Sequence, residues 1–252
     1  MIQKTAIITG ASRGLGKNMA LSLAKNGINI IFSYKSNEKK AKEVISEIEA
    51  IGQKAIAFHF DANNYKSGQE FITKATDYLN KRNGNSNFDF LINNAGTGTF
   101  NLISDTTENQ FNEMINIHLK SVYFLTQKAL PYLNKGGRII NISSGLARFS
   151  LPGMSAYAIM KGGIEVFTRY LAKELGTRKI TTNVIAPGPI ATDFAGGSNR
   201  DNQEKRDIIA NNTALGRVGE ADDIGGTVAF LCSDKAGWIN GQRIEISGGM
   251  FV

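Results

Sequence analysis

The 252-residue chain has a single cysteine, four prolines and two histidines. One thiol cannot pair within the chain, which excludes a disulfide framework and any zinc site built from several cysteines; no metal site is expected. Nowhere do apolar residues run unbroken for the roughly 18 positions that a membrane-crossing helix needs. The first ten residues, Met1 to Gly10, lack a charged leader followed by an apolar stretch. Neither a secretory signal nor a membrane span is therefore expected, and the protein reads as cytoplasmic. Concentrated charge is missing too. The 29 basic and 22 acidic side chains leave a net charge of +7, but the stretch 35–54 alternates sign as a solvated helix face does. No basic stripe marks a nucleic-acid surface.

Glycine, by contrast, is plentiful, at 27 residues. Without an excess of proline it signals tight turns and close backbone approaches rather than disorder. Short apolar runs at 5–9, 28–32, 55–60, 88–92, 138–142, 181–185 and 243–246 read as strands. Helical patterns over 15–26, 37–51, 64–81, 107–133, 155–175 and 220–232 separate them. Strand, helix, strand at this spacing means right-handed crossovers and a parallel sheet. The expectation is one α/β domain over 1–252: a Rossmann-type, doubly wound seven-stranded parallel sheet with helices on both faces. The stretch 188–214, rich in Gly, Asn and Asp, is expected to be a substrate lid, with a short helix over 203–211.

Directly after the first strand comes Thr9-Gly10-Ala11-Ser12-Arg13-Gly14-Leu15-Gly16, opening a helix. Glycines serve a turn at positive φ and allow backbone to approach a pyrophosphate, which the helix N–H groups then hold. The Gly-x3-Gly-x-Gly spacing differs from the commoner Gly-x-Gly-x2-Gly, and no P-loop Gly-Lys-Ser/Thr follows. An NAD site places a carboxylate about 20 residues further on; here that place holds Tyr34 and then Lys35. Together with Arg13, Lys35 suits a 2′-phosphate, so NADP(H) is the expected cofactor.

Ser143 and Ser144 end the fifth strand, and Tyr157 and Lys161 follow at i and i+4 on one helix face. A Tyr phenol needs its pKa lowered by about three units to shuttle protons at neutral pH, and one ammonium at ~4 Å supplies roughly that much. Tyr157 and Lys161 thus suit acid–base work on an alcohol or ketone, with a serine hydroxyl polarising the carbonyl. His59 and His118 read as structural residues, as does Trp238.

The chain resembles the short-chain dehydrogenase/reductase family over essentially its whole length. The resemblance rests on the glycine turn, Asp61-Ala62, Asn93-Asn94-Ala95-Gly96, Asn116, Ser144, Tyr157-x3-Lys161, Pro187-Gly188 and Thr192. It selects Ser144 over Ser143 and implies a catalytic set of Asn116, Ser144, Tyr157 and Lys161. Asn116 would orient a water relay behind Lys161, which would also hold the nicotinamide ribose. Asp61 and Ala62 would meet the adenine, and Asn93, Ala95 and Gly96 would flank the adenosine ribose and support the sheet. Pro187, Gly188, Ile190 and Thr192 would face the nicotinamide. Leu146, Phe149 and Met154 are expected around the substrate.

The C-terminal stretch, Trp238-Ile239-Asn240-Gly241-Gln242 through Ser247-Gly248-Gly249-Met250, resembles the 3-oxoacyl-acyl-carrier-protein reductase branch. That implies an NADPH-dependent carbonyl reductase forming a homotetramer. Its substrate would be a small ketone or alcohol, or an acyl thioester on an acidic acyl carrier protein touching Lys135 and Arg178. The rival reading is an NADP-binding sensor or scaffold without turnover.

Overall fold

The computed structural model describes residues 3–252. Its strands are β1 (Thr5–Ile8), β2 (Asn29–Tyr34), β3 (Ala55–His59), β4 (Phe88–Asn93), β5 (Leu133–Ile142), β6 (Thr181–Pro187) and β7 (Arg243–Ile246). All pair in parallel in the order β3-β2-β1-β4-β5-β6-β7. The winding reverses between β1 and β4, and the crevice at their carboxyl ends is where such sheets take ligands.

The helices are α1 (Gly14–Lys25), α2 (Glu38–Ala50), α3 (Tyr65–Asn83), α4 (Glu108–Ile115), α5 (Ser121–Ala129) and α6 (Ser155–Leu175), then α7 (Ser198–Asp201), α8 (Gln203–Asn211) and α9 (Asp222–Leu231). Alternate strand residues feed two cores, as a period of two requires. Ala6, Ile8, Ile30, Phe32 and Ile92 pack with α1, α2 and α9 on one face. Ile7, Ile31, Leu91 and Ile139 pack with α3, α5 and α6 on the other.

The expected helix over 107–133 is three pieces. A π-helical turn, Asn116–Lys120, separates α4 from α5. Pro131 then stops the helix, because it lacks an N–H and crowds the preceding turn; Leu130–Tyr132 is a 3-10 turn and β5 begins at Leu133. Trp238 is not a packing residue: it is 99% exposed, while the neighbouring Ile239 packs on the core.

Candidate active site

The glycine turn is held from below. Thr9 Oγ1 accepts the N–H groups of Asn94 and Ala95, both at 2.9 Å. The Asn94 amide donates to the carbonyls of Thr9 and Gly10 at 3.0 and 2.9 Å. Ser33 Oγ accepts Gly10 N–H at 2.9 Å. Gly10 has φ +68°, and a Cβ there would lie 2.9 Å from the Ala95 Cα. A Cβ on Gly16 would lie 2.2 Å from the Gly10 carbonyl oxygen. Helix α1 starts with neither a side-chain cap nor an acidic residue in its first turn, so its first N–H groups, around Ser12, Arg13, Gly14 and Leu15, suit an anion.

Cations surround this turn, and each has found a carboxylate. Arg13 lies 3.8 Å and Lys40 3.4 Å from the same oxygen of Asp193, which also pairs with Arg200. Lys35 lies 3.1 Å from Asp61. Against the burial that would raise it, the Asn63 N–H and the Lys35 ammonium keep the Asp61 carboxyl below its ordinary value. The sequence expectation of a cationic end free of carboxylates is corrected here, because Asp193 arrives from a segment distant in sequence. Tyr34 stands at the end of β2, edge-on to His59 at 6.1 Å, and Ala62 is buried. Thr192 faces Gly14: a Cβ on that glycine would lie 3.6 Å from the Thr192 Cβ. A cleft of about 330 Å³ runs between Gly14, Thr192, Asp193 and Arg200.

At the carboxyl end of β5 the two adjacent serines diverge. Ser143 donates to Glu165 at 2.8 Å, turning away into α6. Ser144 does not follow it, and its hydroxyl stays near enough to the Tyr157 phenol to lower the phenol's pKa. Tyr157 and Lys161 are both buried, as i and i+4 positions on the sheet-facing side of α6 must be. The Lys161 ammonium lies 5.4 Å from the Tyr157 ring centre and donates to the Ile142 carbonyl at 2.8 Å. Burial pushes the phenol up to about 12, with Ser144 pulling it down. Burial also brings the Lys161 ammonium down to about 8. The expected lowering of the phenol by Lys161 is not what this geometry gives: one N–H of the ammonium is engaged by the Ile142 carbonyl, and desolvation of the phenolate dominates. Tyr157 is therefore a protonated donor at neutral pH.

Asn116 does not join this group. It opens the π turn, and its amide donates outward to Asn63 at 3.3 Å. His118, two residues on, is buried instead with its ring 5.1 Å from that of Tyr157, edge to face at 86°. A sequence motif gives the residue but not the twist of a π turn, so which of residues 116–120 turn inward was not legible. Asn93 is likewise committed inside the sheet, donating to Thr126 at 3.0 Å and Asn141 at 2.8 Å. The motif's second asparagine, Asn94, holds the turn. Ala95 is at Gly10, and Gly96 lies beneath His118.

Around the mouth, Phe194 stands 6.1 Å from Tyr157 and packs on Gly98. Leu146 and Met154 are half-buried; Leu146 N–H caps onto Ser144 Oγ at 3.2 Å. Phe149 stacks edge-on against Phe251 at 4.9 Å. Pro187 ends β6, the Gly188 N–H bonds to Ile246 at 2.9 Å, and Ile190 bridges to Gly219. Within the expected lid, α8 takes the predicted range 203–211, with the extra turn α7 before it. Lys135 and Arg178 lie at the amino ends of β5 and β6, the opposite edge of the sheet from Ser144. Arg178 is moreover bonded to the carbonyls of Leu130 and Leu133, so the expectation that these two cations flank the site is corrected.

A chain of charges braces Ser143 and Ser144. Glu165 accepts from Ser143 and pairs with Arg243 at 2.8 Å; Arg243 pairs with Glu245 at 2.7 Å; Arg148 grips Glu245 with two N–H groups and donates to the Met250 and Phe251 carbonyls.

This geometry has relatives. A family profile described as "Enoyl-(Acyl carrier protein) reductase" matches residues 10–251. The 3-oxoacyl-[acyl-carrier-protein] reductase FabG of Staphylococcus epidermidis is 35% identical over 253 residues, covering 100% of both chains. The solved structure of LugOII, a promiscuous reductase that catalyses keto-reduction at C1 during lugdunomycin biosynthesis, superposes with TM-score 0.93 at 37% identity, covering 99% of this chain and 98% of that one. The angucycline C-6 ketoreductase LanV with bound NADP superposes with TM-score 0.94 at 33% identity, covering 98% and 95%. The chain belongs to the short-chain dehydrogenase/reductase family. It is an oxidoreductase of that family. Several residues that build its site escaped the sequence reading. Ser33, Lys40, Asp193 and Phe194 carry no motif, and only their proximity in the fold brings them to the crevice.

Proposed function

We propose that this short-chain dehydrogenase/reductase is an NADPH-dependent carbonyl reductase acting through Tyr157. The observation that carries the reading is the convergence of Ser144, a buried, protonated Tyr157 and Lys161 at the crevice where the sheet reverses. NADP(H) fits the glycine cradle. The open N–H end of α1 would take the pyrophosphate, Arg13 and Lys40 with Lys35 the 2′-phosphate, and Asp61 and Ala62 the adenine edge. Pro187, Gly188, Ile190 and Thr192 line the other end. When bound, the nicotinamide supplies the hydride. The chain's residues do the rest: Ser144 donates a hydrogen bond to the carbonyl oxygen as charge develops there, and Tyr157 delivers its proton to that oxygen. Lys161 then returns a proton to the phenolate, whose buried charge is otherwise costly.

The substrate is a ketone small enough to enter between Phe194, Leu146 and Met154. An acyl thioester on a carrier protein is the second reading, favoured by the full-length likeness to FabG. The oligomer is a homotetramer built partly through α5 and α6: Tyr123, Ile159, Val166 and Tyr170 are exposed apolar residues there. The α6 stripe includes Gly162, whose missing side chain meets nothing within the chain. Such a face calls for a partner.

The test is NADPH oxidation, followed by ultraviolet absorbance, against a panel of free ketones and acyl-carrier thioesters, with Tyr157→Phe beside the wild type. Turnover by the wild type, with the variant binding NADPH but slower by roughly a hundredfold or more, is expected. NADPH binding with no turnover of any carbonyl would instead favour a sensor or scaffold, and equal rates would remove Tyr157 from the chemistry.

A further inference from the structure

His118 is a histidine with one settled nitrogen and one open one. Its Nε2 lies 2.7 Å from the Thr97 carbonyl oxygen, so Nε2 carries the hydrogen and donates it. Nδ1 is then left as an acceptor, and it is buried without a partner. The residue is 1% exposed. Burial, reinforced by the charge of Lys161 and opposed by the Thr97 carbonyl, takes its pKa down to about 3. The ring is thus neutral across the working range. Native structures rarely leave a buried acceptor open, and one that stands beside reacting groups calls for an explanation.

The surroundings are built around this ring. It stands edge-on to the Tyr157 ring, on a π turn, a distortion that recurs at functional sites. A Cβ on Gly96 would lie 2.8 Å from its Cε1 and 3.2 Å from its Nδ1, so the glycine is what admits the imidazole. The groups facing it are Tyr157 and Lys161 from α6 and the Thr97 backbone from the loop after β4. Glu165, one turn beyond Lys161 on α6, is engaged by Ser143 and Arg243.

We propose that His118, not Asn116, is the positioning residue of this active site. Its fixed, neutral imidazole braces the Tyr157 ring and offers Nδ1 as the acceptor that orders a hydrogen-bond donor on the Lys161 side, through which Lys161 is reprotonated. The proton balance is simple. Tyr157 gives one proton to the substrate oxygen, Lys161 gives one to the phenolate, and solvent restores the one on Lys161. His118 gains and loses none. This assignment rests on the carbonyl-reductase reading above.

The experiment compares wild type, Tyr157→Phe, His118→Phe, His118→Asn and Asn116→Ala, with NADPH affinity, KM, kcat and the pH profile of kcat measured for each folded protein. His118→Phe keeps the ring but has no acceptor; it should lower kcat about tenfold or more, with KM and NADPH affinity changed less than about threefold. Its alkaline limb should also shift relative to wild type. His118→Asn, which restores an acceptor, should recover most of the loss, and Asn116→Ala should match wild type. Wild-type kcat and pH profile in His118→Phe would overturn the proposal, as would loss in Asn116→Ala with none in His118→Phe, or equal losses in His118→Phe and His118→Asn. Should His118→Phe not fold, Gly96→Ala displaces the imidazole instead and is read by the same criteria. Absence of ketone turnover in the wild type would sink the carbonyl-reductase reading itself, a result separate from all of these.

Discussion

Arg13, in the glycine turn, lies 3.8 Å from Asp193, which follows the threonine at the mouth of the crevice. Lys40 reaches the same carboxylate oxygen at 3.4 Å. A cofactor phosphate must therefore compete with a carboxylate for these cations. Such half-exposed pairs are worth about 0–1 kcal/mol. Asp193→Asn should tighten NADPH binding by up to about fivefold, read by titrating nicotinamide fluorescence; weaker binding would show instead that Asp193 helps to hold the cofactor.

The same cations give a second expectation. Arg13→Ala combined with Lys40→Ala removes two charge-assisted contacts of about 1.5–3 kcal/mol each from a 2′-phosphate, but none from NADH. NADPH affinity should fall at least about a hundredfold while NADH affinity changes little. Equal losses for both cofactors would place the 2′-phosphate elsewhere.

Much of this was legible in the sequence. The seven strands and the glycine turn follow from runs and spacings of local residue types, and local pattern is what a sequence displays most clearly. Ser144, Tyr157 and Lys161 likewise sit at fixed offsets around one strand end and one helix. Asp193 and Lys40 are 153 residues apart, and nothing local to either announces the other. Asn116 misled because a helical pattern says nothing about a π turn within it. Lys135 and Arg178 misled because residue type alone does not say at which end of a parallel strand a cation stands.

The burial of Lys161 sets a pH limit. Its pKa is brought down to about 8, from an ordinary value of 10.5, because the ammonium is desolvated. The charged form is the proton source, so the reductase rate should hold below about pH 8 and fall above it, approaching tenfold per unit. Tyr157, at about 12, stays protonated throughout that window. A pH–kcat profile in the reductive direction checks this; a rate still rising between pH 8 and pH 10 would contradict it.

Glu245 contributes to stability in acid. The Arg148 guanidinium, opposed by burial and aided by Arg243 and Ser247, holds its carboxyl down to about 2, from an ordinary 4.5. A carboxylate with a depressed folded-state pKa stabilises above its unfolded value and loses that contribution as the pH falls through the folded one. Stability should therefore decline between about pH 4.5 and pH 2. Arg148→Met should cost about 1–3 kcal/mol at pH 7 and flatten that decline, because the partner lost leaves a half-buried charge. Urea denaturation at a series of pH values measures both; an unchanged acid limb in the variant would assign it to other groups.

The π turn also dictates what evolution and engineering can do with this stretch of chain. A π turn bonds i to i+5 and so holds one residue more than the α turn it replaces; deleting a single position between 116 and 120 would let the chain close into a regular helix. Leu125 and Ala129, now against the sheet, would keep their places, and the change would fall on the imidazole beside the tyrosine. The extra residue bears on where His118 sits rather than on how the rest of the helix packs.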